Sequence, residues 1–174
     1  PEEVLKALVI SNETYNAPLP ALDTSHARAD EMAAALQVTG FDVVQLRDPS
    51  RASLISEFAS LYDGFDNDAF NKLAVVYYFG HARALDGGGP NYLIPAGAPV
   101  RSAVDLRIHG VELGKLIDRS DRPEDVDTIV FVDRCTDAGL GGVGDSACAP
   151  EPDRENVLLT FTASSTEDDI GEAQ

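Results

Sequence analysis

The sequence predicts an α/β fold with a mostly parallel central sheet flanked by helices, and three observations support this prediction. Short runs of branched apolar residues recur along the chain, as expected for strands covered on both faces of a sheet. Segments with helical spacing lie between these runs, and such alternation is typical of parallel β-α-β units. The length of 174 residues suits one domain around one hydrophobic core.

Five segments are predicted as strands. The three most apolar are residues 5–11, 71–79 and 127–133, and the shorter candidates are 41–46 and 156–163. Two helices are predicted between them. Residues 25–40 have alanine, methionine and leucine at helical spacing and end at a glycine, and residues 50–65 repeat apolar residues along one face after the candidate cap Ser50. Residues 110–120 form a weaker third candidate.

The segment 137–156 is rich in glycine, proline and acidic residues, which predicts one long mobile loop. Within it, residues 139–144 (GLGGVG) match the dinucleotide-binding pattern G-x-G-x-x-G. That pattern binds a pyrophosphate only where its last glycine opens a helix, and Pro150 and Pro152 follow too closely for one. We therefore do not expect a nucleotide site here.

The chain has a formal net charge of −17, with 13 basic and 30 acidic residues. Such a charge repels nucleic acid and anionic membranes and favours cationic partners, although it can equally serve solubility alone. There is no apolar run of the roughly 18 residues that a membrane span needs. Because the opening sequence PEEVLKALVI also lacks the features of a signal peptide, a cytoplasmic location is expected.

His81 and Cys135 both follow predicted strands, whose carboxyl ends gather ligands in open parallel sheets. Taken singly, such a histidine is more often structural, and such a cysteine is more often a small buried apolar residue. Together they are a candidate base and nucleophile, because a thiol needs a nearby base or cation to form its thiolate at neutral pH. The two residues are 54 positions apart.

Several motifs, taken in order, resemble the caspase-like cysteine peptidases, nearest to bacterial orthocaspases and metacaspases. The matching segments are ALVISNETYNAPLPALDTSHARADEMAAALQVTGFDVVQL, AVVYYFGHA with NYLIP, IVFVDRC, and LLTFTASSTEDD. Caspases also place their histidine about 50 residues before the cysteine. The resemblance covers almost the whole chain. It implies a single caspase-like domain over 1–174, a three-layer sandwich lacking its last helix and strand, with 137–156 as an inter-subunit type of loop.

The resemblance implies an endopeptidase that works through an acyl-enzyme, with Cys135 as nucleophile and His81 as proton shuttle. The backbone N–H groups of Cys135 and Ala82 would form the oxyanion hole. The family usually has glycine at position 82, and the alanine here adds a methyl group and makes a positive φ costly. No cofactor is implied, although many metacaspases depend on calcium; the acidic residues form no compact calcium loop.

Metacaspases and orthocaspases cleave after Arg or Lys, and Asp133 matches an acid of their substrate pocket. A basic peptide or protein substrate is therefore expected. Arg28 stands where the family has a second pocket acid. It either neutralises Asp133 and blocks the pocket, or points to solvent while Asp23 or Asp30 takes over.

Because the sheet would end at a bare edge, a C-terminal fragment or a second copy is expected to cover it. The alternative function is a catalytically degenerate domain that serves as a binding or assembly module.

Overall fold

The computed structural model describes residues 3–65, 69–85, 88–118, 122–135 and 148–163. In these ranges the chain forms seven strands and four helices. In order they are β1 (Glu3–Ser11), α1 (Ser25–Val38), β2 (Asp42–Arg47), α2 (Arg51–Ser60), β3 (Asn71–Ala84), β4 (Asn91–Leu93), α3 (Ala103–His109), β5 (Val111–Glu112), α4 (Leu113–Ile117), β6 (Asp127–Cys135) and β7 (Val157–Ala163).

All strands belong to one mostly parallel sheet. Five of them run parallel in the spatial order β2-β1-β3-β6-β7, and the short strands β4 and β5 are added antiparallel at the far end of β3. β3 lies at the centre, between β1 and β6. The ends of the parallel strands therefore meet at one edge of the sheet, where β4 and β5 extend it.

The two faces of the sheet are covered by different helices. Ala29 and Ala33 of α1 pack on Val9 and Phe79 on one face. On the other face the larger core includes residues of α2 and α4, among them Leu54, Phe58, Leu113, Leu116 and Ile117. Alternate strand residues point to opposite faces, so continuous apolar runs serve both cores. The predicted three-layer α/β architecture is confirmed.

Apart from β3, the predicted strands agree with the observed ones to within two residues at each end, and so does α1, whereas α2 ends at Ser60, five residues before its predicted end. Ser50 caps α2 as expected, since its hydroxyl accepts a hydrogen bond from the Ser53 N–H at 3.1 Å. The third helix was predicted too long: residues 110–120 contain a strand, β5, followed by the five-residue α4. Two further elements, β4 and α3, escaped prediction because segments of three and seven residues have too little periodicity to detect.

β3 continues five residues beyond its predicted end, through His81 to Ala84. The extension contains a bulge. Phe79 pairs with Asp133 and Ala82 with Cys135, so Gly80 and His81 together lie opposite the single residue Arg134. Arg134 has a φ of 77°, in the left-handed region that ordinary residues rarely adopt. The bulge thus lies where β3 carries the candidate histidine.

Candidate active site

His81 is almost completely buried within β3, not just past the strand as the sequence suggested. Its Nε2 donates a hydrogen bond to the carbonyl oxygen of Pro20 at 2.8 Å. Because a carbonyl can only accept, this contact places the imidazole proton on Nε2 and leaves the lone pair on Nδ1. Nδ1 is itself buried and has no hydrogen-bond partner among the described residues. The ring therefore presents an unoccupied base atom.

The surroundings of His81 favour its neutral form. Burial lowers its pKa below the ordinary 6.5, the hydrogen bond to Pro20 opposes that change, and the positive charge of Arg134 lowers the pKa further. At neutral pH the ring is consequently uncharged and able to accept a proton.

Tyr15 positions His81 from the side of the loop after β1. The His81 N–H donates to the Tyr15 hydroxyl at 2.9 Å, and the two rings meet edge to face with centroids 4.5 Å apart. Burial raises the pKa of Tyr15 to about 12, so the phenol stays protonated. Gly80 is required for this approach, because a Cβ there would come within 2.6 Å of the Tyr15 hydroxyl and 2.9 Å of the Tyr78 ring.

A buried polar network supports the same loop. The Tyr78 hydroxyl accepts from Asn12 Nδ2 at 2.9 Å and donates to the Ile94 carbonyl at 2.7 Å. The Ile94 N–H in turn donates to the His81 carbonyl at 3.0 Å. Hydrogen bonds therefore fix the backbone on both sides of His81.

Cys135 is the last residue of β6, buried, and the register partner of Ala82, the residue after His81. The fold thus brings the two predicted catalytic residues to neighbouring strands at one edge of the sheet. In this structure, however, Cys135 forms a disulfide with Cys148. The Cys135 sulfur is therefore not a free thiol in this state.

The chain around Cys148 is held by specific contacts. Asn91 of β4 donates to the Ala149 carbonyl and accepts from the Ala149 N–H, both at 2.8 Å, and it also donates to Glu151 at 2.7 Å. Arg154 pairs with Asp118 and with Glu151. These contacts concern residues 148–156 of the predicted loop 137–156; positions 136–147, including the glycine-rich motif at 139–144, lie outside the described residues.

Ala82 is fully buried and directly follows the bulge in β3, where it pairs with both Leu93 and Cys135. Its φ is not positive. The backbone cost that alanine was expected to impose at this position is therefore absent.

Asp133 is paired with Arg28: the Arg28 Nη1 lies 2.9 Å from Oδ2. The other oxygen, Oδ1, accepts a hydrogen bond from the Thr162 hydroxyl at 2.6 Å. The guanidinium also lies over the Phe79 ring, 5.4 Å from its centroid. Of the two placements predicted for Arg28, the structure has the one in which it neutralises Asp133.

The two substitute acids lie elsewhere. Both carboxylate oxygens of Asp30 accept from the same nitrogen, Arg47 Nη2, at 2.6 and 2.8 Å. Asp23 is exposed in the turn before α1, and no contact joins it to Asp133 in the described parts of the chain. Neither residue contributes to the surroundings of Asp133.

Sequence reasoning did not find Pro20, Tyr15, Asn91 or the role of Cys148. Asn91 lies within the NYLIP motif, so the sequence indicated where Asn91 lies in the fold, but it did not indicate that Asn91 binds Ala149. Pro20 acts through its backbone carbonyl. Because every residue has such a carbonyl, the residue type could not reveal this role. In the ranges described, no three histidine, cysteine or carboxylate side chains are grouped as a metal site, and none of the helices has the length and apolarity to cross a membrane.

The fold and site together define an α/β domain with a buried histidine on the central strand β3 and a cysteine at the end of the neighbouring strand β6. Residues 5–170 match the family model of the caspase domain, and the chain belongs to this family. A solved structure described as pro-Sf-caspase-1 matches with a TM-score of 0.66 at 15% identity, over 93% of this chain and 62% of the other. This chain therefore spans less than two thirds of that protein's length. Comparison with curated proteins gives no match.

Proposed function

We propose that this chain is the catalytic domain of a cysteine endopeptidase in which His81 and Cys135 act as a dyad. The observation that best supports the proposal is the Pro20–His81 hydrogen bond. It fixes the tautomer that leaves the lone pair on Nδ1, a buried atom with no hydrogen-bond partner in the described parts of the chain, on the strand next to that of Cys135. A histidine with a purely structural role would usually have both ring nitrogens satisfied.

In the first step, reduced Cys135 loses its proton to His81 Nδ1 and the thiolate attacks the carbonyl carbon of the scissile amide. The imidazolium that forms keeps its Nε2–H on the Pro20 carbonyl, which stabilises the added charge. The C–N bond then breaks as Nδ1–H protonates the leaving amine. A thioester joins the substrate to Cys135, and a water molecule deprotonated by His81 hydrolyses it.

The negative charge that develops on the substrate oxygen needs hydrogen-bond donors. In our proposal these are the backbone N–H groups of Ala82 and Cys135, which are register partners on neighbouring strands. A well-placed donor of this kind is worth about 3 kcal/mol in the transition state.

We further propose cleavage after basic residues. Asp133 is two residues before the nucleophile on β6 and largely buried, so its carboxylate is suited to a cationic side chain. The net charge of −17 favours the approach of basic substrates. A cytoplasmic location would require the Cys135–Cys148 bond to be transient, because cytosolic reductants keep most thiols reduced.

A second candidate is a degenerate caspase-like domain that binds or assembles without cleaving. Two contacts favour it: the disulfide at Cys135 and the ion pair that occupies Asp133. Both would oppose catalysis if they were permanent.

The test is a cleavage assay on fluorogenic peptides that end in Arg, Lys or Asp, under reducing conditions, with and without calcium. We expect cleavage after Arg and Lys, and none by Cys135→Ala or His81→Ala. Failure to cleave any peptide, with Cys135 inert to iodoacetamide after reduction, would favour the degenerate domain. Cleavage after Asp alone would contradict the role of Asp133.

A further inference from the structure

The contacts around Asp133 form a site of defined shape. Phe79, Asp133 and Thr162 are register partners on the neighbouring strands β3, β6 and β7, so their side chains form a row on one face of the sheet. The row supplies an aromatic face, a carboxylate and a hydroxyl that already binds the carboxylate. A planar cation that can stack and donate hydrogen bonds at the same time is the matching ligand, and guanidinium has both properties.

Arg28 of α1 already makes these contacts. Its Nη1 is 2.9 Å from Asp133 and its guanidinium carbon is 5.4 Å from the centre of the Phe79 ring. We propose that Arg28 is an internal occupant of a substrate-arginine site, and that a substrate arginine binds by displacing it. This inference rests on the proposed peptidase function and specifies its substrate side chain as arginyl rather than lysyl.

Arg28 and Asp133 differ in solvent exposure, as the displacement of Arg28 by a substrate arginine requires. The Arg28 side chain is 49% exposed, whereas that of Asp133 is 14% exposed. Because the Arg28 side chain is already half exposed, moving it into water sacrifices little of its packing. Asp133, in contrast, stays fixed by Thr162 and is left needing a cation. A side chain that replaces Arg28 would meet a carboxylate already in position.

The row is also next to the dyad. Phe79 is two residues before His81, and Asp133 is two residues before Cys135. A side chain bound there would belong to the substrate residue near the attacked carbonyl. Arg28 thus acts on specificity by competition, and it raises the substrate concentration needed for half-saturation without touching the reacting atoms.

The test uses ethylguanidinium as a probe, with ethylurea as its uncharged analogue, and calorimetric titration and thermal unfolding as readouts. We expect Arg28→Ala to bind ethylguanidinium at least tenfold more tightly than the unsubstituted chain, and not to bind ethylurea. Arg28→Ala/Asp133→Asn should lose the binding. Arg47→Ala is the matched control: it removes an arginine from Asp30, an exposed pair without an aromatic face, and should create no such site.

Cleavage assays separate this inference from the proposed function. If arginyl peptides are cleaved, Arg28→Ala should lower KM about tenfold with kcat little changed. Binding of ethylguanidinium by Arg28→Ala without cleavage of any peptide would support the site and count against the peptidase. If Arg28→Ala binds ethylguanidinium no better than the unsubstituted chain, or if its KM for arginyl peptides does not fall, the inference is wrong.

Discussion

The side-chain amide of Asn91 binds both backbone groups of Ala149, since it donates to the Ala149 carbonyl and accepts from the Ala149 N–H. One side chain of β4 therefore fixes the residue next to Cys148. We expect this contact to keep the Cys148 sulfur close to Cys135 after the disulfide is reduced. We predict that Asn91→Ala makes the disulfide at least tenfold easier to reduce by glutathione, because the local concentration of the second thiol falls. Quantifying the reduced fraction by mass spectrometry at a series of glutathione ratios measures this.

Asn16→Ala is the control for this prediction. It removes a different asparagine that also joins distant segments, through a hydrogen bond to the Gly97 carbonyl at 2.7 Å, but makes no contact near Cys148. If the reduced fraction of the disulfide changes equally in Asn91→Ala and Asn16→Ala, then Asn91 acts only through the general stability of the fold.

The disulfide should also control the reactivity of Cys135. Without reductant, iodoacetamide should modify neither cysteine, and after dithiothreitol, which is itself oxidised to a cyclic disulfide, it should modify both. Cys148→Ser should make Cys135 reactive without reductant and cost about 3 kcal/mol of unfolding free energy, the loop-closure value for a cross-link of this span. Alkylation of Cys135 in the untreated chain at the same rate would contradict the prediction.

The lowered pKa of His81 has a consequence for the pH profile. The neutral ring is the active base, so kcat/KM should rise with pH through a value below 6.5. Arg134→Asn removes the positive charge that lowers this pKa while tolerating the left-handed backbone at position 134. The acidic limb of the profile should therefore move to higher pH in this variant. An unchanged limb would show that the titration belongs to another group.

Gly80→Ala should disturb the site by overpacking. Its new methyl group would meet the hydroxyl of Tyr15 and the ring of Tyr78, and we expect a loss of about 1–3 kcal/mol together with a large fall in activity. Gly114→Ala is the matched variant, because the nearest atom there, 3.0 Å away, is the end of the flexible Arg154 side chain. Urea unfolding should show Gly114→Ala to be nearly neutral, and equal costs for the two would refute the argument.

Asp48 should make the loop of Tyr15 sensitive to acid. Burial raises the pKa of Asp48, but hydrogen bonds from the N–H groups of Thr14 and Glu13 and the charge of His26 outweigh it, so the pKa lies below 3.8. A lowered pKa means stability that is present above 3.8 and lost as the pH falls through the folded-state value. Asp48→Asn, which suits the φ of 45°, should be less stable at pH 6 and lose this deficit at low pH. The unfolding free energies of Asp48→Asn and of the unsubstituted chain, compared from pH 6 to 2.5, measure this difference in stability.

The sequence predicted the sheet well because its central strands are continuous apolar runs, which little else can explain. It placed Asp133 on a strand for the same reason, but it ended that strand two residues too early, since β6 continues through Cys135. It could not predict the extension of β3 through His81, since a bulge depends on pairing with another strand. The Pro20 carbonyl, the Asn91–Ala149 contact and the disulfide likewise depend on residues that only the fold brings together.

Helix α1 contacts the ends of several strands. The row that contains Phe79 and Asp133 continues across the sheet to β1 and β2. Its successive register partners there are Arg47, Ser11, Phe79 and Asp133. α1 reaches the row at three points: His26 Nδ1 is 2.7 Å from the Ser11 hydroxyl, Arg28 binds Asp133, and Asp30 binds Arg47. Since these contacts share one helix, we expect them to be energetically coupled. A substrate arginine that releases Arg28 would loosen the grip of α1 on β2, so occupancy of the pocket would be felt at the far edge of the sheet.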